Sequence, residues 1–527
     1  MRKTVGESLV DLLEAYGVDT VFGIPGVHTV ELYRGLANSR IRHITPRHEL
    51  SAGFMADGYA RVSGKPGVCL LITGPGVTNA ITAMAQARAD SIPLLVISGV
   101  NKADTHGKEI GYLHELPDQI GMMRTIALFT HCLTSGADLG SVVNQAFAAM
   151  TSGRPGPAHI EIPLDVMSEL IEVPEIVPTS MPKGSAKSTE LDEVAQLCRT
   201  ARQPVLLAGG GAVRAEESMQ RLAEVLDAPV VTTVNARTMF SGHPLCVPAS
   251  PSEPGVRHLL ADSDLVVAIG TQFGPTDYDM YLDGEFPDLK KLVRIDVDPL
   301  QINRGITPDL GIVADAKMVL EGLLERLSDH QSSANGSGRA QATRDATYSG
   351  LSPEYQKGAQ LLESICKAIP DAIIVGDSTQ LVYAGNSFAR LPGASRWFNA
   401  STGYGSLGFG APAAIGAQLA ASDKPVICIT GDGGFQFCLS ELGTAMDENT
   451  PIVFLVWNNA GYRQIETSME SLGVSPVGVS PSAPDFVAVA AAYGMAGEQV
   501  TLIDDIPDAL RRGRESGKAY LVEFVAP

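Results

Sequence analysis

The stretch PVICITGDGGFQFCLSELGTAMDENTPIVFLVWNN, residues 425–459, decides the fold. It runs from an apolar segment through a glycine turn and a helix-like segment to a turn at Pro451 and a second apolar segment. Continuous Val/Ile/Leu runs separated by a helix are the pattern of parallel strands buried on both faces. The same unit recurs as GVCLLITGPG (67–76) leading to DSIPLLVISG (90–99), and as PVLLAGGG (204–211) leading to DAPVVTTV (227–234). The repeat predicts an α/β chain of three doubly wound domains, with mainly parallel sheets and helices on both faces. Two stretches poor in large apolar residues, 168–188 and 329–352, read as linkers and bound the domains at 1–167, 189–328 and 353–527.

Composition narrows the class. Apolar content of 45% and charged content of 19% describe an ordinary globular protein. The net charge of −20 argues against nucleic acid or an anionic membrane as partner. The N-terminus places Leu9, Leu12, Leu13 and Tyr16 at helical spacing, an amphipathic helix without a signal-peptide core. No apolar run approaches the ~20 residues of a spanning helix. The seven cysteines include no CxxC and read as buried thiols. A cytoplasmic protein is expected.

The copies differ where chemistry would sit. Pro75 takes the place of Asp432, and Gly99 and its neighbours follow the strand where Asn458 and Asn459 follow it in the third copy. The acid and the amides are therefore expected to be additions of that copy. Ligands of an open parallel sheet bind beyond the carboxyl ends of its strands. Neighbouring strands lie ~4.8 Å apart, so Asp432 and Asn459, 27 positions apart, can share one cation. A carboxylate with an amide oxygen leaves room for water and phosphate, which suits Mg²⁺. Gly431, Gly433 and Gly434 let the backbone approach, and a helix expected to start near Phe435 would aim N–H groups at an anion. GDG alone is a common turn and NN a common strand end; their pairing at matched strand ends reads as a Mg²⁺-diphosphate cradle. No GxxxxGK[ST] occurs, and GGGAVR (209–214) lacks the third glycine of the dinucleotide fingerprint.

On these segments, and on RHELSAGFMADGYAR (47–61), GPGVTNAITAMAQARADSIPLLVISG (74–99), GRPGPAHIEIPLDV (153–166) and GSLGFGAPAAIGA (405–417), the chain resembles a known family. It is the thiamine diphosphate-dependent group of acetohydroxyacid synthase, pyruvate decarboxylase and benzoylformate decarboxylase. The resemblance implies that Asp432, Asn459 and the Gly461 carbonyl hold Mg²⁺ and that Ser378 and Thr379 contact the diphosphate. It implies that Glu49 hydrogen-bonds the cofactor's pyrimidine, that Leu407 wedges beneath it, and that the Gly405 carbonyl accepts from its amino group. Val27 falls in a turn placed beside the cofactor. Read alone, Glu49 is a first-turn partner of a helix dipole. In the resembled family different chains hold the two ends of the cofactor, so a dimer is the expected minimum, and tetramers are common.

Within the group, DSIP (90–93) and GIPG (23–26) lean towards the synthases. Three segments lean away. His114 stands in LHE where the synthases carry Gln. GTQFGPTDYD (270–279) replaces the segment near their FAD, so FAD is not expected. NNAGYRQIE (458–466) departs from their continuation. His114 is a candidate proton donor or a structural histidine. His28, beside the Gly26–Val27 turn, is a candidate substrate contact. GVHTVELYRGL (26–36) and the NNxGYxxI pattern resemble decarboxylases of 5-guanidino-2-oxopentanoate. Asp377, Glu466 and Glu115 are acids that a guanidinium could use, each with a second reading as a solvated loop acid. The expected function is non-oxidative decarboxylation of a 2-oxo acid. The alternatives are an acetolactate-forming carboligase acting on pyruvate and a non-catalytic flavin- or nucleotide-binding relative. The intact Glu49, Asp432 and Asn459 set argues against the last.

Overall fold

A computed structural model describes residues 2–173, 178, 184–278, 286–332 and 334–526. Part of the first expected linker (174–177 and 179–183) and Asp279 of the 270–279 segment lie outside the described residues. The second expected linker is mostly helix: Gly336–Gly350 is α-helical and Pro353–Ala368 follows it. Its buried face is made of Gly336, Ala340, Thr343 and Thr347, residues too small to register as an apolar stripe.

The first sheet orders its strands Arg42–Ile44, Thr20–Phe22, Gly67–Leu71, Leu94–Val100, Pro157–Pro163 and Phe129–Cys132, all parallel. The central sheet runs Cys246–Val247, Val230–Thr232, Pro204–Ala208, Leu265–Ile269, Leu292–Asp296 and Leu310–Val313, again parallel. Both of its faces are covered: Leu206 and Ala208 belong to one core and Val205 and Leu207 to another. The third repeat supplies parallel pairs between Val426–Gly431, Val453–Asn458 and Tyr520–Val525, and between Ile373–Gly376 and Arg396–Asn399. These three parallel-sheet modules are the expected α/β architecture. All seven cysteines are free, and all but the half-buried Cys132 are buried. Among the described residues no helix is long and apolar enough to cross a membrane.

The chain divides into two compact units. One comprises Met1–Pro182, Tyr404–Gln499 and Arg512–Pro527; the other comprises Lys183–Gly403 and Val500–Arg511. Inside the first unit, helices Glu49–Ser63 and Gly410–Ala420 touch backbone to backbone. A Cβ on Gly58 would lie 2.0 Å from the Ala413 carbonyl oxygen, and one on Gly416 would lie 1.9 Å from that of Met55. Each helix thus uses a glycine to admit the other's main chain. Gly58→Ala should lower stability by about 1–3 kcal/mol, the usual cost of overpacking a core. An unchanged midpoint in urea denaturation would show that the helices separate without penalty.

Candidate cofactor site

Strand Val426–Gly431 delivers Asp432 and strand Val453–Asn458 delivers Asn459. The two strand ends meet: the Asn459 backbone N–H donates to Asp432 Oδ1 at 3.4 Å. Asp432 is 1% exposed. Burial pushes its carboxyl pKa up, and it outweighs the backbone N–H groups of Asn459, Asp432, Gly461 and Gly433, which pull it down. A divalent cation at this carboxylate would favour the ionised form that burial penalises.

The loop beside Asp432 is packed tightly against its own neighbours. A Cβ on Gly433 would stand 2.5 Å from the Tyr462 ring. Gly461 has φ +141°, and its Cβ would lie 2.3 Å from the Val479 carbonyl oxygen. Ala460 holds φ +60°, a left-handed conformation costly for a residue with a side chain. Among the described residues no group of three or more His, Cys, Asp or Glu side chains could hold a metal. A cation at this loop would therefore draw on amide and carbonyl oxygens beside the single carboxylate, a set that fits Mg²⁺ carrying phosphate and water.

The expected helix start near Phe435 needs correction. A single helical turn, Asp432–Phe435, begins at the acid itself, and the next helix is Glu441–Asp447. Gly433 and Gly434 have poor helix propensity, and a four-residue turn carries no appreciable macrodipole. That turn is too short to form an anion site of its own.

The two asparagines divide their work. Asn458 Nδ2 donates to Glu523 Oε1 at 2.7 Å, and its Oδ1 accepts from the Ala460 N–H at 3.1 Å. Asn458 thus shapes the loop, and Asn459 is the residue that meets Asp432. Glu523 is 2% exposed and escaped the sequence reading; its signal was one acid inside the strand YLVEFV.

Glu49 is the first residue of helix Glu49–Ser63, whose His48 ring caps the Leu50 N–H. Glu49 Oε2 accepts from Asn79 Nδ2 at 2.9 Å. The loop with Gly405 and Leu407 is pinned at Ser406, whose N–H and hydroxyl both donate to Gln86 Oε1, at 3.2 and 3.0 Å. Gln86 in turn donates to Asp90, which pairs with buried Arg61 at 2.6 Å. Gly405 has φ +75°, lies exposed and has open space beside it. Leu407 is half-buried. Asn79, Gln86 and Asp90 also escaped the sequence reading, since only the fold brings helix Pro75–Asp90 to these partners.

Val27 is exposed and His28 buried. His28 Nε2 and Asn101 Oδ1 lie 3.1 Å apart, and the His28 and His114 rings are 5.3 Å apart. Burial lowers the His28 pKa. Asn101 corrects a further expectation. It follows Pro93 by eight positions, as Asn459 follows Pro451. The first module therefore keeps an amide at the strand end and uses it on a histidine.

The candidate substrate acids have partners already. Glu115 Oε2 accepts from the Gly111 and Tyr112 N–H groups at 2.8 and 3.0 Å. Glu466 pairs with Arg463, which also donates to the Asn459 carbonyl at 2.8 Å. In the second unit, buried Asp377 accepts from the Ser378 N–H at 2.8 Å. Ser378 and Thr379 join strand Ile373–Gly376 to helix Gln380–Ser387, a strand-turn-helix like that at Asp432. In the central domain Gly209 and Gly211 pack against the Gly270 backbone, so their lack of side chains serves loop packing.

The chain matches three domain descriptions in order. They are "Thiamine pyrophosphate enzyme, N-terminal TPP binding domain" over residues 3–122, "central domain" over 191–323, and "C-terminal TPP binding domain" over 377–524. It is 43% identical to the Probable 2-ketoarginine decarboxylase AruI of Pseudomonas aeruginosa, across 99% of this chain and 94% of that protein. It is 33% identical to the acetolactate synthase of Mycobacterium bovis, across 97% and 86%. It is 30% identical to the Probable acetolactate synthase large subunit of Methanococcus aeolicus, across 98% and 91%. With three domain descriptions matched in order and similarity over nearly the whole chain, the chain belongs to the thiamine diphosphate-dependent enzyme family.

Proposed function

We propose that the protein is a Mg²⁺- and thiamine diphosphate-dependent decarboxylase of a 2-oxo acid, with 5-guanidino-2-oxopentanoate as its substrate. The carrying observation is the 43% identity, across nearly the whole chain, to a relative whose name specifies 2-ketoarginine, the same compound. The assembly proposed is a homo-oligomer with a dimer as its smallest active form, in the cytoplasm. FAD has no assigned role.

Asp432, Asn459 and the Gly461 carbonyl would hold Mg²⁺, and Gly431, Gly433 and Gly434 would serve the diphosphate beside them; Ser378 and Thr379 are further proposed diphosphate contacts. When bound, thiamine diphosphate supplies the electron sink that makes loss of CO₂ feasible. Glu49, oriented by Asn79, holds the proton at the pyrimidine nitrogen. The Gly405 carbonyl would accept from the pyrimidine amino group, Leu407 would support the cofactor, and the Val27 turn would stand at its side. His114 delivers the proton that replaces the departing carboxylate, giving the aldehyde. His28 lies beside it. Of the acids, Glu466 is the leading guanidinium partner, in exchange with Arg463, and Asp377 and Glu115 are the others proposed.

A guanidinium on a carboxylate gains a charge-assisted contact that pyruvate cannot make. The expected kcat/KM preference for the guanidino acid over pyruvate is at least ~100-fold, about 2.7 kcal/mol of transition-state discrimination. Glu466→Gln or Asp377→Asn should erode it while sparing pyruvate turnover. The measurement is CO₂ release from each acid with both cofactors present. The acetolactate synthases among the relatives favour a second reading, carboligation. Pyruvate as the better substrate, with acetolactate as product, would establish it in place of the first.

A further inference from the structure

Strand Leu94–Val100 hands on directly to Asn101, whose side chain joins two histidines that the sequence keeps far apart. Asn101 Nδ2 donates to the Leu113 carbonyl at 3.2 Å, next to His114. A carbonyl only accepts, so the amide orientation is fixed, and Oδ1 is the atom facing His28 Nε2 at 3.1 Å. An amide oxygen also only accepts, so Nε2 must carry the hydrogen. Burial disfavours the charged ring at His28, which leaves its Nδ1 as a lone-pair acceptor. That Nδ1 is buried and has no hydrogen-bond partner among the described residues, and the same holds for Nδ1 of His114.

The two rings are placed to resolve this. Their centroids are 5.3 Å apart with planes 33° from parallel. An N–H···N contact between imidazoles needs about 2.9 Å between nitrogens plus ~1.1 Å from each nitrogen to its ring centre, roughly 5.1 Å in all. The observed centroid separation is within about 0.2 Å of that requirement. The backbones are held: a Cβ on Gly99 would lie 2.1 Å from the His28 carbonyl oxygen, and one on Gly74 would lie 2.6 Å from that of His114. His114 itself sits at φ +62°, a strained conformation that persists where surroundings enforce it.

We propose that Asn101 and His28 are positioning residues for His114: Asn101 locks His28 as the Nε2–H tautomer, and His28 Nδ1 accepts from Nδ1–H of His114. His114 then exchanges its proton through Nε2 alone, as a metal-bound or catalytic histidine does when its other nitrogen is held by a partner. This rests on the reading of His114 as the proton donor, and it assigns His28 a role behind the reacting atoms.

The test is the nitrogen-15 solid-state spectrum of the full-length, cofactor-free protein labelled at histidine, with His28→Phe and His114→Phe used for assignment. The expected result is a His28 protonated at Nε2 and a His114 protonated at Nδ1, with the His114 tautomer shifting in His28→Phe. Asn101→Leu should scramble the His28 tautomer and lower kcat about tenfold, with KM for the 2-oxo acid nearly unchanged. Asn101→Asp retains the acceptor and should restore the His28 tautomer and most of the turnover. A neutral wild-type His114 that carries its hydrogen at Nε2 and leaves Nδ1 bare, or a His114 tautomer indifferent to His28→Phe, overturns the pairing. The predicted tautomers together with undiminished turnover in His114→Phe would instead overturn the donor reading.

Discussion

Asp432→Ala should abolish tight thiamine diphosphate binding in a calorimetric titration with Mg²⁺ in excess, a loss of at least ~100-fold in affinity, since the proposed metal site loses the one side-chain carboxylate assigned to it. The same variant should not destabilise the cofactor-free protein. Burial raises the Asp432 pKa above its ordinary value. The folded chain therefore holds the proton more tightly than the unfolded chain, and ionisation works against the fold. Whatever the protonated acid contributes is fully present below the unfolded pKa and is lost as pH rises through the folded one. At neutral pH the carboxylate is a cost that a cation offsets and that alanine removes. Affinity should fall while the urea midpoint of the apoprotein holds or rises. Unchanged cofactor affinity would remove Asp432 from the site. A collapsed midpoint would make it a residue of the fold.

The legible and illegible parts of the site divide by how far apart interacting residues lie in sequence. Asp432 and Asn459 belong to one β-α-β unit, and the repeat itself shows that their strand ends are neighbours. Glu49 opens a helix, the position the sequence places it in. The partners of these residues were not legible. Glu523 reaches Asn458 from a strand 65 positions away, and Gln86 reaches Ser406 across 320 positions. No local pattern encodes such pairings; they follow from which strand lies next to which and which helices cross. Asn101 was hidden differently. It occupies the register of Asn459, but its neighbour is a histidine, and only the geometry shows that the amide was kept and put to another use. The helix at Gly336–Gly350 was missed because its buried face is built of glycine, alanine and threonine, which look polar or neutral when burial is inferred from bulk.

Glu49→Gln is the second large effect. Asn79 Nδ2 donates to one carboxylate oxygen of Glu49, and a glutamine can offer its carbonyl oxygen to the same donor. The side chain should keep its place at the head of helix Glu49–Ser63, and stability and cofactor affinity should stay close to wild type. What changes is the group proposed to face the cofactor's pyrimidine nitrogen. A carboxyl group can share a proton there and switch between donor and acceptor as the pyrimidine changes its own protonation. The amide offers only N–H bonds that it cannot release. The expected loss is of order 10²-fold or more in kcat, the usual span for one acid–base group, with KM for the 2-oxo acid little moved. Steady-state kinetics at saturating thiamine diphosphate and Mg²⁺ isolate this from any binding defect. Turnover within a few-fold of wild type would mean that the carboxyl group does no proton work. The contact with Asn79 would then be the whole reason for an acid at the start of this helix.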